Sequence, residues 1–308
     1  MGTKKKLICM DYPKIKQALE DLLKTHSLAL NISQDPIQFV HRYSRVEDQE
    51  IAGVFASALA FGRVSAFLPK IKALLDIADQ HGGPRKWIEN FNSSMVKDIA
   101  HISYRWNKNP DFALLCFTLQ KTLETYPSLG SLFQSLFEPL ESTISPSLER
   151  FISVLRDSAL AVSPKLELSA NSFSALPKGF RLFLCSPKDG SACKRWHLYL
   201  RWMIRRTSPD IGIWTLPSSK LCIPLDTHIH SISQMIGLPI GKSANHRAMM
   251  KITSFMQRLD PNDPIRFDFA LAHLGISKSC KKAWFPDICL NCPLQRICSH
   301  TKLSPQTS

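Results

Sequence analysis

The chain has 308 residues, 44% of them hydrophobic and 9% aromatic, with 39 Lys and Arg against 25 Asp and Glu for a net charge of +14. Apolar content of this size fills the core of one large or two ordinary domains, which excludes a disordered or fibrous chain. The positive excess points first to nucleic acid as partner and second to an anionic membrane surface, and the lack of an apolar run near spanning length weakens the second.

The N-terminal MGTKKKLICM is basic, but its apolar run is too short for a signal peptide, and Lys6 breaks the myristoylation pattern. The expected location is therefore cytoplasmic, with the nucleoid. Asp11, Tyr12 and Pro13 open the first expected helix, whose stripe of Ile15, Ala18, Leu19, Leu22 and Leu23 runs on towards His26. Asp48 is the expected cap of the next, which carries Ile51, Val54, Phe55, Ala58 and Leu59. With Gly53, Ala56, Ser57 and Ala60 on its other face it is small or apolar nearly all round, the pattern of a central helix. Gly62 breaks the run before Val64, Phe67, Leu68, Ile71, Leu74 and Leu75 begin another helix. Phe112, Leu115, Cys116, Leu119 and Leu123 mark a further one, and Leu148, Phe151, Ile152 and Leu155 the next, with Ser145 and Pro146 at its start. Residues 161–180, with their Ser and Pro, read as a loop. No strand-like alternation of useful length occurs, so the expected class is all-α.

The richest stretch runs from Pro187 to His230. Lys188, Asp189 and Gly190 form a turn, and a helix is expected from about Ser191 with Cys193, Trp196, Leu200, Met203 and Ile204 as its inner stripe. Lys194, Arg201 and Arg205 follow one line of that helix, and Arg195, Tyr199, Trp202 and Arg206 the adjacent one. Cations interleaved with rings suit a polyanion whose bases stack, though a solvated cationic face with buried tryptophans gives the same pattern. Asp226 precedes the ladder Ile229, Ile232, Ile236 with Gly237 as stop, which is an N-cap position. The positive end of the helix dipole favours an anion there.

Ser243 is the expected cap of a helix carrying Met249, Ile252, Met256 and Leu259, and residues 265–276 are expected to form one more, ending at Gly275. Of nine cysteines, Cys9, Cys116, Cys185, Cys193 and Cys222 lie among apolar neighbours and read as small core residues. Cys280, Cys289, Cys292 and Cys298 form a C-x8-C-x2-C-x5-C cluster. Four thiolates at such spacing hold either one tetrahedral zinc or an iron-sulfur cube, and spacing alone does not choose. There is no P-loop, no Gly-x-Gly-x-x-Gly and no carboxylate-histidine array at metal spacing, which removes support for nucleotide-driven motors, dehydrogenases and zinc hydrolases.

The hairpin GSACK with its following helix, then PLDTHI, resembles the helix-hairpin-helix DNA glycosylases of the endonuclease III type. Phrases such as GSACKR, LRWM, IPLDTH and FDFAL are similar to those of an uncharacterised bacterial branch of that superfamily. The resemblance implies that Gly190, Ser191 and Ala192 grip a DNA phosphate, Lys194 is placed to attack the sugar, and Asp226 is the catalytic carboxylate with His228 bracing its helix. It puts Leu59, which by itself reads first as a core residue, nearest the residue that wedges into the duplex, and Arg195, Arg201 and Arg205 on the DNA. It also favours a [4Fe-4S] cluster over zinc at the cysteines.

The implied fold has two lobes. Residues 46–206 form one, ending in the hairpin; 1–45 with 207–300 form the other, carrying the cysteine loop; 301–308 are a flexible tail. Asp226 is expected at the junction of the lobes. The implied activity is glycosylase chemistry, with or without abasic-site lyase action, on double-stranded DNA, RNA staying open. The alternatives are a non-catalytic iron-sulfur nucleic-acid-binding module and, behind it, an iron-sulfur redox protein. No protein partner is implied. Ala192 where the family has glycine, the long segment between Lys194 and Asp226, and Leu59 at the wedge depart from the pattern.

Overall fold

The protein, described here by a computed structural model, is placed over residues 11–25, 32–276 and 279–300. The expected tail at 301–308 and Cys9 lie outside the described residues. Every regular element among those residues is helical. In chain order they are α1 (Tyr12–Thr25), α2 (Gln38–His41), α3 (Val46–Leu59), α4 (Val64–Gln80), α5 (Pro84–Glu89), α6 (Asn109–Thr125) and α7 (Leu129–Ser135). There follow α8 (Ser145–Val162), α9 (Lys178–Arg181), α10 (Lys194–Ile204), α11 (Thr227–Met235), α12 (His246–Leu259), α13 (Asp268–Ile276) and α14 (Pro286–Cys289). Among the described residues the one β-type pairing is an isolated bridge between Tyr104 and Asn107, and no helix is long and apolar enough to cross a membrane.

The chain divides into two compact units, Ala29–Pro224 and a discontinuous unit of Met1–Leu28 with Leu225–Ser308. The boundaries expected at 45/46 and 206/207 both fall inside the first unit. The reason at the second boundary is local. Residues beyond α10 fold back on its C-terminal end, with Ile211 N and Gly212 N donating to Trp202 O at 3.0 Å each and Trp214 N to Met203 O at 2.7 Å.

α3 is the hub of the Ala29–Pro224 unit, buried almost all round and packed against α2, α4, α5 and α10. α10 comes so close that a Cβ on Gly53 would stand 3.0 Å from both Met203 Cε and Tyr199 Cε2. Glu50, 1% exposed, ties the hub to two other segments: Oε1 accepts from Trp214 Nε1 at 2.8 Å and Gly130 N at 2.9 Å, and Oε2 from Leu129 N at 3.0 Å. Burial pushes this carboxyl up, and the hydrogen bonds from Trp214, Gly130 and Leu129 oppose the shift. Asp48 does not cap its own helix, which starts two residues earlier at Val46. Its carboxylate instead takes Arg85 N at 2.9 Å at the start of α5. Of the expected loop at 161–180, residues 161 and 162 complete α8, and the rest form short helical turns with irregular connections.

In the discontinuous unit α13 packs against α1 and α11. Arg266 joins the two sequence-distant pieces through Glu20 Oε2 at 2.7 Å. α12 is capped by Asn245, which accepts from Ala248 N at 3.0 Å, and not by Ser243, because only a residue directly before the helix reaches its third N–H.

Candidate functional site

The hairpin region is built as a rigid turn. Residues 187–189 form one 3-10 turn, Ser186 and Asp189 cap each other reciprocally, and Gly190 follows at φ +75 with open space for 4 Å around the point a Cβ would occupy. Arg156 on α8 pairs with Asp189, its Nη1 standing 3.4 Å from Oδ1, and lies over the Phe173 ring at 4.0 Å. The Arg156 hydrogen bond holds the Asp189 carboxyl below its usual range. Lys188 and Gly190 are exposed and Ser191 half-buried, whereas Ala192, 7% exposed, packs inward and is corrected from the expected phosphate-gripping set. α10 begins at Lys194, three residues later than expected, because Cys193 takes a left-handed conformation at φ +45.

Burial decides three further readings. Arg201 and Arg205 do not face a polyanion: they are 4% and 7% exposed, and Asp210 Oδ2 accepts from Arg201 Nε at 3.1 Å and Arg205 Nη1 at 3.0 Å. The folded-back segment after α10 carries this aspartate and covers the face that helical periodicity leaves open. The rings of Tyr199 and Trp202, which interleave with the cations in sequence, are core together with Trp196 of the inner stripe (Trp196–Tyr199 5.7 Å, Tyr199–Trp214 5.5 Å), so none stacks on a base. Leu59 is fully buried within α3 and is no wedge.

Lys194 and Arg195 keep partial exposure and turn towards the end of α3. Lys194 Nζ donates to Ala60 O at 2.8 Å, and Arg195 Nη1 to Ala58 O at 2.9 Å with Nη2 bonded to Leu182 O. The Arg195 guanidinium also lies 5.3 Å from the centre of the Phe61 ring. Sequence periodicity missed what lies beside it. Phe61 is stacked on Trp106 with centroids 6.0 Å apart and planes 6° from parallel, and the Arg105 guanidinium lies 5.8 Å and 5.1 Å from their respective centres. Trp106 is 61% exposed. Its segment carries no helical or strand period, and the one available signal is the isolated pair of a cation and a tryptophan between polar neighbours.

Asp226 is the N-cap of α11, as expected. One oxygen, Oδ1, takes both His228 N at 2.8 Å and Ile229 N at 2.7 Å, and Oδ2 has no hydrogen-bond partner among the described residues. The residue is half-buried. The Cβ and ring of His228 stand 2.5–2.6 Å from where a Cβ on Gly275 of α13 would be, so that close approach requires glycine.

Cys280, Cys289, Cys292 and Cys298 line one pocket, whose other walls include Ile232, Met235, Leu274 and Leu294. Cys292 N to Cys289 O at 3.2 Å closes the two-residue knuckle, and Phe285 N donates to Cys289 Sγ at 3.4 Å. Burial pushes the Cys292 thiol up, and the other three sulfurs add to the shift. Among the described residues no three His, Cys, Asp or Glu side chains stand close enough to hold a single metal ion. Lys281, Lys282 and Arg296 on this loop are exposed. Of the scattered cysteines, Cys116, Cys193 and Cys222 are buried as expected and Cys185 is half-buried.

A family model described as "Protein of unknown function (DUF2400)" matches residues 35–277. The chain belongs to this DUF2400 family. The matched span includes the hairpin, Lys194, the Phe61–Trp106 pair and Asp226, and it stops short of Cys280. No curated protein and no solved structure matches the chain.

Proposed function

We propose that this DUF2400 chain is a DNA-binding base-excision glycosylase that acts on a nucleotide flipped from the duplex, with abasic-site lyase capacity through Lys194. The observation that carries the catalytic half is the divided role of the Asp226 carboxylate, one oxygen fixed by two backbone N–H groups and the other left open. In the reaction the bond between the sugar carbon and the base breaks, its electron pair passes to the base, and the base takes up a proton. Positive charge builds on the sugar, and a carboxylate already held in place stabilises it without reorganising. Water then adds hydroxide to the sugar carbon. In the lyase branch the Lys194 amine replaces water and forms a Schiff base, for which Nζ first releases Ala60 O and a proton.

The binding half rests on the net charge of +14, on exposed Lys188, Arg105 and Arg206, and on the likeness of the GSACK and PLDTHI segments to endonuclease III-type proteins. Such a protein works on the nucleoid, in the cytoplasm. Cys280, Cys289, Cys292 and Cys298 are the ligands of a [4Fe-4S] cluster in this scheme. An all-thiolate set and an N–H donor on Cys289 Sγ suit a cube with an iron for each thiolate. When bound, the cluster ties a loop too small to bury a core of its own.

A second function, a non-catalytic nucleic-acid-binding module, is favoured by one fact: the Lys194 amine is engaged by a carbonyl. Asp226→Asn separates the two, because Asn keeps the capping oxygen and removes the charge. The substrates are duplexes carrying a damaged base or an abasic site, with borohydride to trap a covalent adduct. The expected result is base release or adduct by the wild type, and a turnover loss of roughly 100-fold in the variant with DNA affinity retained. No product and no adduct across a broad lesion panel would refute the enzyme and leave the binding module.

A further inference from the structure

Residues 104–107 form a tight turn whose ends are buried and whose tip is not. Tyr104 and Asn107 exchange both backbone hydrogen bonds at 2.9 Å, leaving Arg105 and Trp106 as the two tip residues. Such two-residue connections favour glycine, asparagine or aspartate where φ is positive. Here Arg105 takes φ +53, a strained conformation for a long side chain.

Both ends of the turn are pinned to distant parts of the unit. Tyr104, 6% exposed, donates its hydroxyl to Phe61 O, and Asn107, fully buried, donates Nδ2 to Gly179 O at 2.7 Å. Gly62 makes the first contact possible, since a Cβ there would stand 2.6 Å from the Tyr104 hydroxyl and 2.8 Å from Arg105 Nη1. The tip is therefore held, and what it holds out is an indole 61% exposed. Arg105 lies 5.1 Å from the centre of that indole and 5.8 Å from Phe61, and Arg195 lies 5.3 Å from Phe61.

We propose that Trp106, backed by Phe61 and flanked by Arg105 and Arg195, is a stacking platform for an unpaired base of a nucleic-acid strand. The occupant follows from charge and shape together. A planar apolar face rimmed by guanidinium groups matches a base on an anionic backbone, and every base has a π face to offer. A purely apolar protein partner gains nothing from the flanking cations. The inference rests on nucleic acid being the partner, and it supplies the base contact that buried Leu59 does not make.

The test uses the full chain with a fluorescent thymidine oligonucleotide and the same sequence fully paired, reading anisotropy and tryptophan emission over a range of salt. Wild type is expected to bind the single strand with quenched emission. Trp106→Ala is expected to weaken binding about tenfold with the salt slope unchanged, because it removes stacking and no charge. Arg105→Ala is expected to lower that slope by about one. Trp106→Phe, which keeps a smaller ring, recovers part of the affinity and loses the quenching. Since the indole is exposed, an unchanged melting curve verifies that the variants fold. Equal affinity of wild type and Trp106→Ala, with emission undisturbed, would overturn the platform and leave nucleic-acid binding standing. Failure of the wild type to bind either oligonucleotide would overturn both.

Discussion

Asp210 Oδ2 accepts a hydrogen bond from Arg201 Nε at 3.1 Å, with the two side chains 0% and 5% exposed. An arginine that sequence periodicity places on a cationic face is thus an internal strut between α10 and the segment that folds back over it. Removing one member of such a pair leaves a buried charge without its partner. Asp210→Ala is expected to cost about 3 kcal/mol or more of stability, read as a fall in the urea midpoint. Arg201→Gln should likewise act as a folding defect, with little change in the salt dependence of DNA binding in the protein that folds.

The Arg156–Asp189 pair sets a pH response in the hairpin. The hydrogen bond from Arg156 lowers the folded-state pKa of Asp189, so the unfolded chain binds the proton more readily. The contribution to stability is then fully present above the ordinary carboxylate value near ~4, and is lost as pH falls through the lowered folded value. Wild type and Asp189→Asn should differ by a constant amount from about pH 5 upward and converge at lower pH, by thermal melts at matched ionic strength. With Asp189 partly exposed the difference should be under about 1 kcal/mol, and high salt should shrink it. A gap that widens on acidification contradicts the assignment.

The cysteine pocket makes a prediction in metal stoichiometry. Protein purified without oxygen is expected to carry about four irons per chain and the broad visible absorption of an iron-sulfur cube, with little zinc. Replacing Cys292 with Ser should lower iron content and destabilise the discontinuous unit, because metal binding there is coupled to folding. Cys116→Ser, at a buried position away from the cluster, should leave iron content unchanged. One zinc per chain and a colourless protein would reverse the assignment of the metal.

Several elements were legible from residue order because their causes are local. Asp226 beside an apolar ladder has the side chain and position to cap α11, and it does so with both hydrogen bonds on one oxygen. The stripe from Ile15 to Leu22 makes α1, and the small or apolar faces around Ile51 make α3 a central helix. The four closely spaced cysteines line one pocket, but among the described residues no three His, Cys, Asp or Glu side chains stand close enough to hold a single metal ion.

The errors share a cause. Helical periodicity tells which residues of α10 lie on a common line, but it does not count how many lines other segments cover. The backbone bonds from Ile211, Gly212 and Trp214 to the end of α10 put that return segment against the helix and carried Arg201, Arg205, Tyr199 and Trp202 inside. The same limit hid the exposed ring pair, because Phe61 and Trp106 meet only through contacts made far along the chain, at Phe61 O and Gly179 O. Residue order alone determined the helical class and the cap at Asp226, through interactions a few residues long. Which cations and rings reach solvent was decided by tertiary structure alone, because burial depends on distant segments whose arrival no local pattern records.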